Sequence, residues 1–167
     1  IDAGPNSSLL NQMSKKIPFY DRTIEGIILT HPDKDHIAGF VPLLERYKVE
    51  FIIYNGLEHQ LSQYHKILNI AKEKNILLYL VQSGAKIRLT DQITLDILAP
   101  FENFSGKTVK KNNNTSIVAR LTYGKNSFLF TGDAEKEEEA QIIALHQNID
   151  SDVLKVGHHG SRSSSSE

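Results

Sequence analysis

Apolar positions fall into short runs and helical stripes separated by polar loops. Ile24 to Thr30 is an apolar, β-branched run that reads as a buried strand, and it feeds directly into His31-Pro32-Asp33-Lys34-Asp35-His36. Pro32 disfavours helix at His31, so a loop is expected to begin there. Residues 37–47 place Phe40, Leu43, Leu44 and Tyr47 on one side of a short helix, and Val49 to Tyr54 reads as a second strand. Residues 57–74 carry Leu61, Tyr64, Leu68 and Ala71 at helical spacing, with a strand expected at Ile76 to Val81. Strands at 86–89 and 93–98 precede a loop over residues 100–114, rich in Asn, Lys and Gly. Residues 116–122 and 127–131 read as a hairpin closed by Tyr123-Gly124-Lys125-Asn126. Residues 134–146 form an amphipathic helix with acidic residues in its first turns, where they suit the helix dipole. A last strand over 152–156 leads into a loop over 157–167 that holds the serine run 163–166. This order indicates an α/β chain with mixed strand pairing and no internal repeat.

Composition narrows the chemistry. The 167 residues suffice for one domain with a real core. A net charge of −1 provides no global positive field, so any hold on a polyanion must come from a local patch or from metal ions. The chain has no cysteine, which excludes disulfides, thiolate metal sites and a cysteine nucleophile. Its longest apolar runs, such as residues 76–81, fall far short of the roughly 20 residues of a membrane span. With no initiator Met before Ile1-Asp2-Ala3-Gly4 and an end inside a Gly/Ser loop, the chain reads as a fragment truncated at both ends.

Three strands each run into a loop of potential ligands: His31/Asp33/Asp35/His36, Gly132-Asp133, and Gly157-His158-His159-Gly160. Loops leaving one edge of a sheet converge on a single cleft. In the first loop, His31 and Asp33 point one way and Asp35 and His36 another, so one segment could serve two adjacent cations. Imidazole with carboxylate suits Zn, Mn or Fe, with no soft ligand to favour copper. Each loop also has a plainer reading. The first is a solvated turn with an Asp N-cap, Asp133 is a cap for the helix that follows, and the histidine pair is a surface loop. His59, His65 and His146 lie on expected helices and carry no assigned chemistry.

His31-x-Asp33-x-Asp35-His36 resembles the HxHxDH signature of the metallo-β-lactamase superfamily, with Asp in place of the second His. Together with Asp2-Ala3-Gly4-Pro5, Asn113-Asn114-Thr115-Ser116, Thr131-Gly132-Asp133 and Gly157-His158-His159-Gly160-Ser161, it is similar to the hydrolase domain of ComEC-type DNA-uptake proteins. The five blocks span the chain from end to end. The resemblance implies an αββα sandwich with two divalent metal ions, zinc or manganese, at one edge of the stacked sheets. His31 and Asp33 would serve one ion, Asp35 and His36 the other, with Asp133 bridging and His158 completing the second site. His159 would lie nearby as a catalytic or substrate-contacting group; sequence leaves the choice between the two histidines open, and His158 is favoured because it leaves the strand first. Asp2 is carried over as a supporting residue that orients the ligand loop. Asp33 and the Asn113-Asn114 pair stand where most members have histidines, which hardens the ligand set toward oxygen and raises manganese.

The implied activity is phosphodiester cleavage in DNA, with the single-stranded form favoured, by a parent protein embedded in the membrane with this part extracytoplasmic, or by a secreted one. Asp35 would also accept a hydrogen bond from the nucleophile. Asn113, Ser116, Ser161 and Arg162 are candidate phosphate or leaving-group contacts, each also able simply to stabilise its loop. Lys107, Lys110 and Lys111 form the local basic cluster, with Phe101 and Phe104 beside them for stacking. Two other readings fit the same residues: a hydrolase of small phosphodiesters or other esters, and a non-catalytic DNA-binding or assembly module.

Overall fold

The computed structural model describes residues 1–165; Ser166 and Glu167, the last two residues of the expected C-terminal loop, lie outside the described residues. Eight strands form two sheets. Strands β1 (Thr23–Ile28), β2 (Lys48–Tyr54) and β3 (Leu77–Leu80) make an all-parallel sheet in that order. Strands β4 (Lys86–Arg88), β5 (Ile93–Ala99), β6 (Val118–Tyr123) and β7 (Asn126–Phe130) form an antiparallel meander, and β8 (Val153–Lys155) joins β7 in parallel. Helices α1 (Ser8–Met13), α2 (Lys34–Ile37), α3 (Phe40–Arg46) and α4 (Ser62–Glu73) accompany the first sheet, and α5 (Lys136–Ala144) packs on the second.

Side-chain alternation builds the layers. In β1, Ile27 joins the core under the helices while Ile28 joins the core between the sheets; in β2, Ile52 and Ile53 divide the same way. A strand apolar on both faces is what a covered parallel sheet requires. The inter-sheet core continues through Leu95, Ile97, Ile117 and Ala119, and the outer face of the second sheet packs Leu98, Ala99 and Val118 against Ile142. The result is the expected αββα arrangement.

The two sheets meet most closely at one end. Beyond β1, the Ile117 amide donates to the Thr30 carbonyl (2.9 Å). Asn55, buried past β2, donates from Nδ2 to Thr115 O (2.8 Å) and Oγ1 (3.0 Å) and accepts from Leu57 N (3.1 Å). Toward the other end the sheets part around a cavity of about 920 Å3 lined by residues including Gly26, Phe51, Tyr79 and Leu89. All four side chains of edge strand β3 are exposed.

The elements differ from expectation in four places, each with a local cause. The helix expected over 37–47 runs over Phe40–Arg46, and a separate helical turn, Lys34–Ile37, occupies the second half of the expected ligand loop; the Gly39 amide between them donates to Gly4 O (2.9 Å), and a Cβ on Gly39 would come within 2.2 Å of the Ala3 carbonyl oxygen. The helix expected from Leu57 begins at Ser62; Leu57 is buried in an extended segment and its carbonyl accepts the Tyr64 hydroxyl at 2.8 Å. Helix α5 begins at Lys136 with Glu135, not Asp133, at its N-cap position. Helix α1 was not expected at all, since its apolar content is confined to Leu9, Leu10 and Met13 within six residues. Asn55→Ala leaves a buried carbonyl and a buried amide without partners, so urea unfolding should show a loss of at least about 1–3 kcal/mol.

Candidate metal centre

The end at which the sheets meet is where the ligand-bearing loops converge. His31 and His36 leave the end of β1, Asp133 leaves β7, and His159 leaves β8. Among the described residues, ligand atoms of Asp35, His36, Asp133 and His159 all lie within 4.8 Å of one another. His159 Nε2 is 3.1 Å from Asp35 Oδ2, 3.2 Å from His36 Nε2 and 3.5 Å from Asp133 Oδ2, while His36 Nε2 is 3.1 Å from Asp133 Oδ1. The floor is buried (His31, His36, Asp133) and the rim, Asp35 and His159, is more than half exposed.

Each floor residue is held from behind. His36 Nδ1 donates to Asp2 Oδ2 at 2.7 Å, so the ring presents Nε2 to the centre. Asp2 also accepts from Thr30 N (3.0 Å) and Thr30 Oγ1 (2.9 Å), and Thr30 Oγ1 lies 3.0 Å from His31 Nδ1. With its own proton given to Asp2, that hydroxyl serves as acceptor for His31 Nδ1–H and leaves His31 Nε2 facing the centre. The Ala3 and Gly4 amides both reach the His36 carbonyl (2.7 and 3.1 Å), so the Asp2-Ala3-Gly4 segment clasps α2. Asp133 is set by its amide, which donates to Ser116 Oγ at 3.1 Å. Gly132 (φ +52°) makes that loop possible: a Cβ there would lie within 3.0 Å of both Ser116 and Thr30.

The donor chemistry fits a divalent cation. His31 Nε2 and Asp133 Oδ1 are buried without a hydrogen-bond partner, although Oδ1 is only 3.1 Å from His36 Nε2; that approach lacks hydrogen-bond geometry. Two imidazole nitrogens, His36 Nε2 and His159 Nε2, face each other at 3.2 Å with carboxylates on either side. A shared cation is the simplest partner for lone pairs so arranged.

Burial alone would push the His36 imidazole down, but the Asp133 carboxylate close to Nε2 and the bonded Asp2 carboxylate at Nδ1 override it and lift its pKa to about 10. Burial works to raise Asp133, and the imidazoles of His36, His31 and His159 nevertheless hold its carboxyl below the usual range. His31 beside Asp33, aided by the Asn112 amide, holds the Asp33 carboxyl low despite partial burial.

Not every residue singled out in the sequence reaches the cluster. His31 and Asp33 form an adjacent pair, Nε2 to Oδ2 3.4 Å, with Asn112 Nδ2 donating to Asp33 Oδ1 at 2.6 Å. His158 turns away from the four-residue cluster. Its Nδ1 is 2.8 Å from Ser163 Oγ, 3.4 Å from Glu135 Oε1 and 3.4 Å from Asn113 Nδ2. His158 (φ +44°) and His159 (φ +53°) are consecutive left-handed residues, and this turn sends one ring to Glu135 before α5 and the other to Asp35, His36 and Asp133. Ser116 is buried behind Asp133; Ser161 Oγ lies 3.1 Å from Ser163 Oγ, and Arg162 is exposed in the turn after His159. Asn113 donates to Glu135 Oε1 at 3.1 Å. Three neighbours escaped the sequence reading: Asn112, Glu135 and Lys155, whose Nζ donates to Gly132 O at 3.0 Å and lies 4.0 Å from Asp133 Oδ1. Only Asn112 carried a signal, as the first of three consecutive asparagines.

The sequence matches the family model of the Metallo-beta-lactamase superfamily over residues 1–167. Among curated proteins it is similar to ComE operon protein 3 of Bacillus subtilis, 34% identical over 87% of this chain, and to Recombination protein 2 of Haemophilus influenzae, 30% identical over 90%. It is also similar to Competence protein ComA of Neisseria gonorrhoeae, 27% identical over 87%. The chain spans only 18%, 17% and 18% of the lengths of these relatives. Among solved structures, Zn(2+)-bound PqqB from Methylobacterium extorquens matches with a TM-score of 0.54 at 11% identity, over 83% of this chain and 51% of that one, which shows a shared fold.

Asp2→Ala removes the group that orients His36 and should weaken divalent-metal affinity by about 10–100-fold, read by competition with a chelating dye. In EDTA, protonated His36 stabilises the fold because its pKa stands at about 10 against an ordinary 6.5. That contribution is complete below pH 6.5 and is lost as pH rises through 10, so denaturant midpoints of the metal-free protein should fall across this window. Added Zn²⁺ or Mn²⁺ should stabilise more at high pH, since ligation needs the neutral ring.

Proposed function

The chain belongs to the metallo-beta-lactamase superfamily, and from that premise we propose that it is a two-metal phosphodiesterase acting on DNA. The observation that carries this reading is the convergence of Asp35, His36, Asp133 and His159 above the buried, unpartnered His31 Nε2. In the proposed ligand set His31 and Asp33 would hold one ion and Asp35, His36 and His159 the other, with the Asp133 carboxylate available to both. His159 thereby takes the ligand role that the resemblance assigned to His158, because the left-handed turn aims His159 at the cluster. His158, on Glu135 and Ser163, braces that turn.

Two divalent ions in such a site lower the pKa of water and neutralise an anionic ester. The chain's own groups do the rest. Asp35, at the open rim and 55% exposed, is placed to accept a proton or hydrogen bond from an incoming nucleophile. The Lys155 ammonium, one strand away, adds positive charge beside Asp133. Arg162 at the rim is the proposed contact for a backbone phosphate, with Ser161 beside it. Ser116 is reassigned from substrate contact to support of Asp133, since it is fully buried there. Asn113 is likewise engaged with Glu135 and His158, on the side of the centre facing the basic loop.

DNA is favoured as substrate because the relatives include a protein named for competence, a ComE operon protein and a recombination protein. The oxygen-rich pair Asp33 and Asp133 on the first ion favours manganese over zinc there. Single-stranded DNA should be cut in Mn²⁺, activity should vanish in EDTA and return on adding Mn²⁺. Asp35→Ala should lower the rate by about 10²–10⁴-fold with unchanged circular dichroism. Full activity in that folded variant would refute the assignment.

A further inference from the structure

The loop after β5, Asn114 and the first turns of α5 line a small cavity of about 170 Å3. Phe101 and Phe104 form its apolar walls, and Asn114, Glu137, Glu138 and Gln141 supply its polar ones. The volume is below the ~300–1,000 Å3 of pockets for drug-sized ligands, which suits a single planar ring.

One wall residue has no structural explanation. Glu138 is 3% exposed, and its Oε2 has no hydrogen-bond partner among the described residues. A buried, unpartnered carboxyl is costly, and a fold retains one where a ligand supplies the missing bond. Burial also keeps this carboxyl well above the ordinary carboxylate range, so that it can offer a donor as well as an acceptor.

The pocket is wired to the centre through adjacent asparagines. Asn113 reaches Glu135 and His158 on the metal side. Asn114 donates to Glu137 Oε2 (3.2 Å) and accepts from Glu135 N (2.8 Å) on the pocket side. Lys107 lies over the Phe104 ring at 5.9 Å and 3.5 Å from Glu102, which puts a cation at the mouth of a pocket otherwise bordered by acids.

The geometry points to a nucleobase subsite, in which Phe101 and Phe104 flank one base of a DNA strand and Glu138 bonds its Watson–Crick edge. This inference rests on the reading of the centre as a DNA phosphodiesterase. Stacking tolerates any base. The neutral carboxyl does so too, because the Watson–Crick edge of each base sets a donor beside an acceptor, a pair that an abasic sugar lacks.

The test measures fluorescence anisotropy of labelled oligo-dT and of an abasic oligomer of the same length in EDTA, so that no strand is cut. The wild-type chain should bind oligo-dT about tenfold tighter than the abasic strand. Glu138→Ala and Phe104→Leu should each reduce that ratio to below about threefold while binding of the abasic strand holds. Circular dichroism checks each fold, and Glu138→Met, of similar volume but without the carboxyl, serves if the alanine variant does not fold. A wild-type ratio near one, or an unchanged ratio in the folded Glu138 variant, overturns the subsite. Hydrolysis of bis-p-nitrophenyl phosphate, which has no base, by the Mn²⁺-loaded wild-type protein tests the parent reading separately. Hydrolysis without a preference for the base-bearing strand sinks the pocket alone, and that preference without hydrolysis sinks the phosphodiesterase alone.

Discussion

Burying two carboxylates against one imidazole constrains this molecule more than any other contact. Asp2 and Asp133 approach His36 from opposite sides, one through Nδ1 and one through Nε2, and all three side chains are largely shielded from water. Such a group is stable only when complete, because removing one partner strands a charge where solvent cannot reach it. The three residues come from the start of the chain, from α2 and from the loop after β7. Completing the group therefore fixes the N-terminal segment, the parallel sheet and the meander relative to one another. The Gly39 and Gly132 positions follow from it, since both let backbone come close enough for the contacts to form.

Much of this was legible in the sequence because strands and ligand loops have strong local signatures. The β1 run and the hairpin at Gly124 sit where patterning puts them, and the ligand loop begins at His31 as expected, although its second half, from Lys34, turns into helix α2. What local patterning could not supply was direction. Two adjacent histidines look equivalent in sequence, and only a left-handed turn separates their fates. Asp133 looked like a helix cap, and the helix starts too late for it to act as one. Ser116 looked available to substrate, and tertiary packing closes it behind Asp133. Asn112, Glu135 and Lys155 act through side-chain bonds to residues between 22 and 79 positions away, beyond the reach of any short motif.

The histidine pair also shows how the centre is tied to α5. The ring of His158 meets Glu135 at the N-cap position of that helix while its neighbour meets the ligands. Backbone strain at two consecutive non-glycine residues persists only where surroundings over-determine it. Here Ser161 N to His158 O (2.8 Å) and Ser164 Oγ to Gly157 O (2.7 Å) do so. The helix, the asparagine turn and the ligand loop thus move as one body.

The partial separation of the sheets has a mechanical consequence. They are stitched through Thr30–Ile117 and Asn55–Thr115 at one end and diverge around a void of about 920 Å3 toward the other. Such a form behaves as a pair of tongs whose pivot coincides with the ligand cluster. His36 rides on one arm and Asp133 on the other, so a small change in gape alters ligand spacing first. Conversely, whatever bridges those two ligands locks the arms, and rigidity at the pivot governs how far the distant apolar lips can spread.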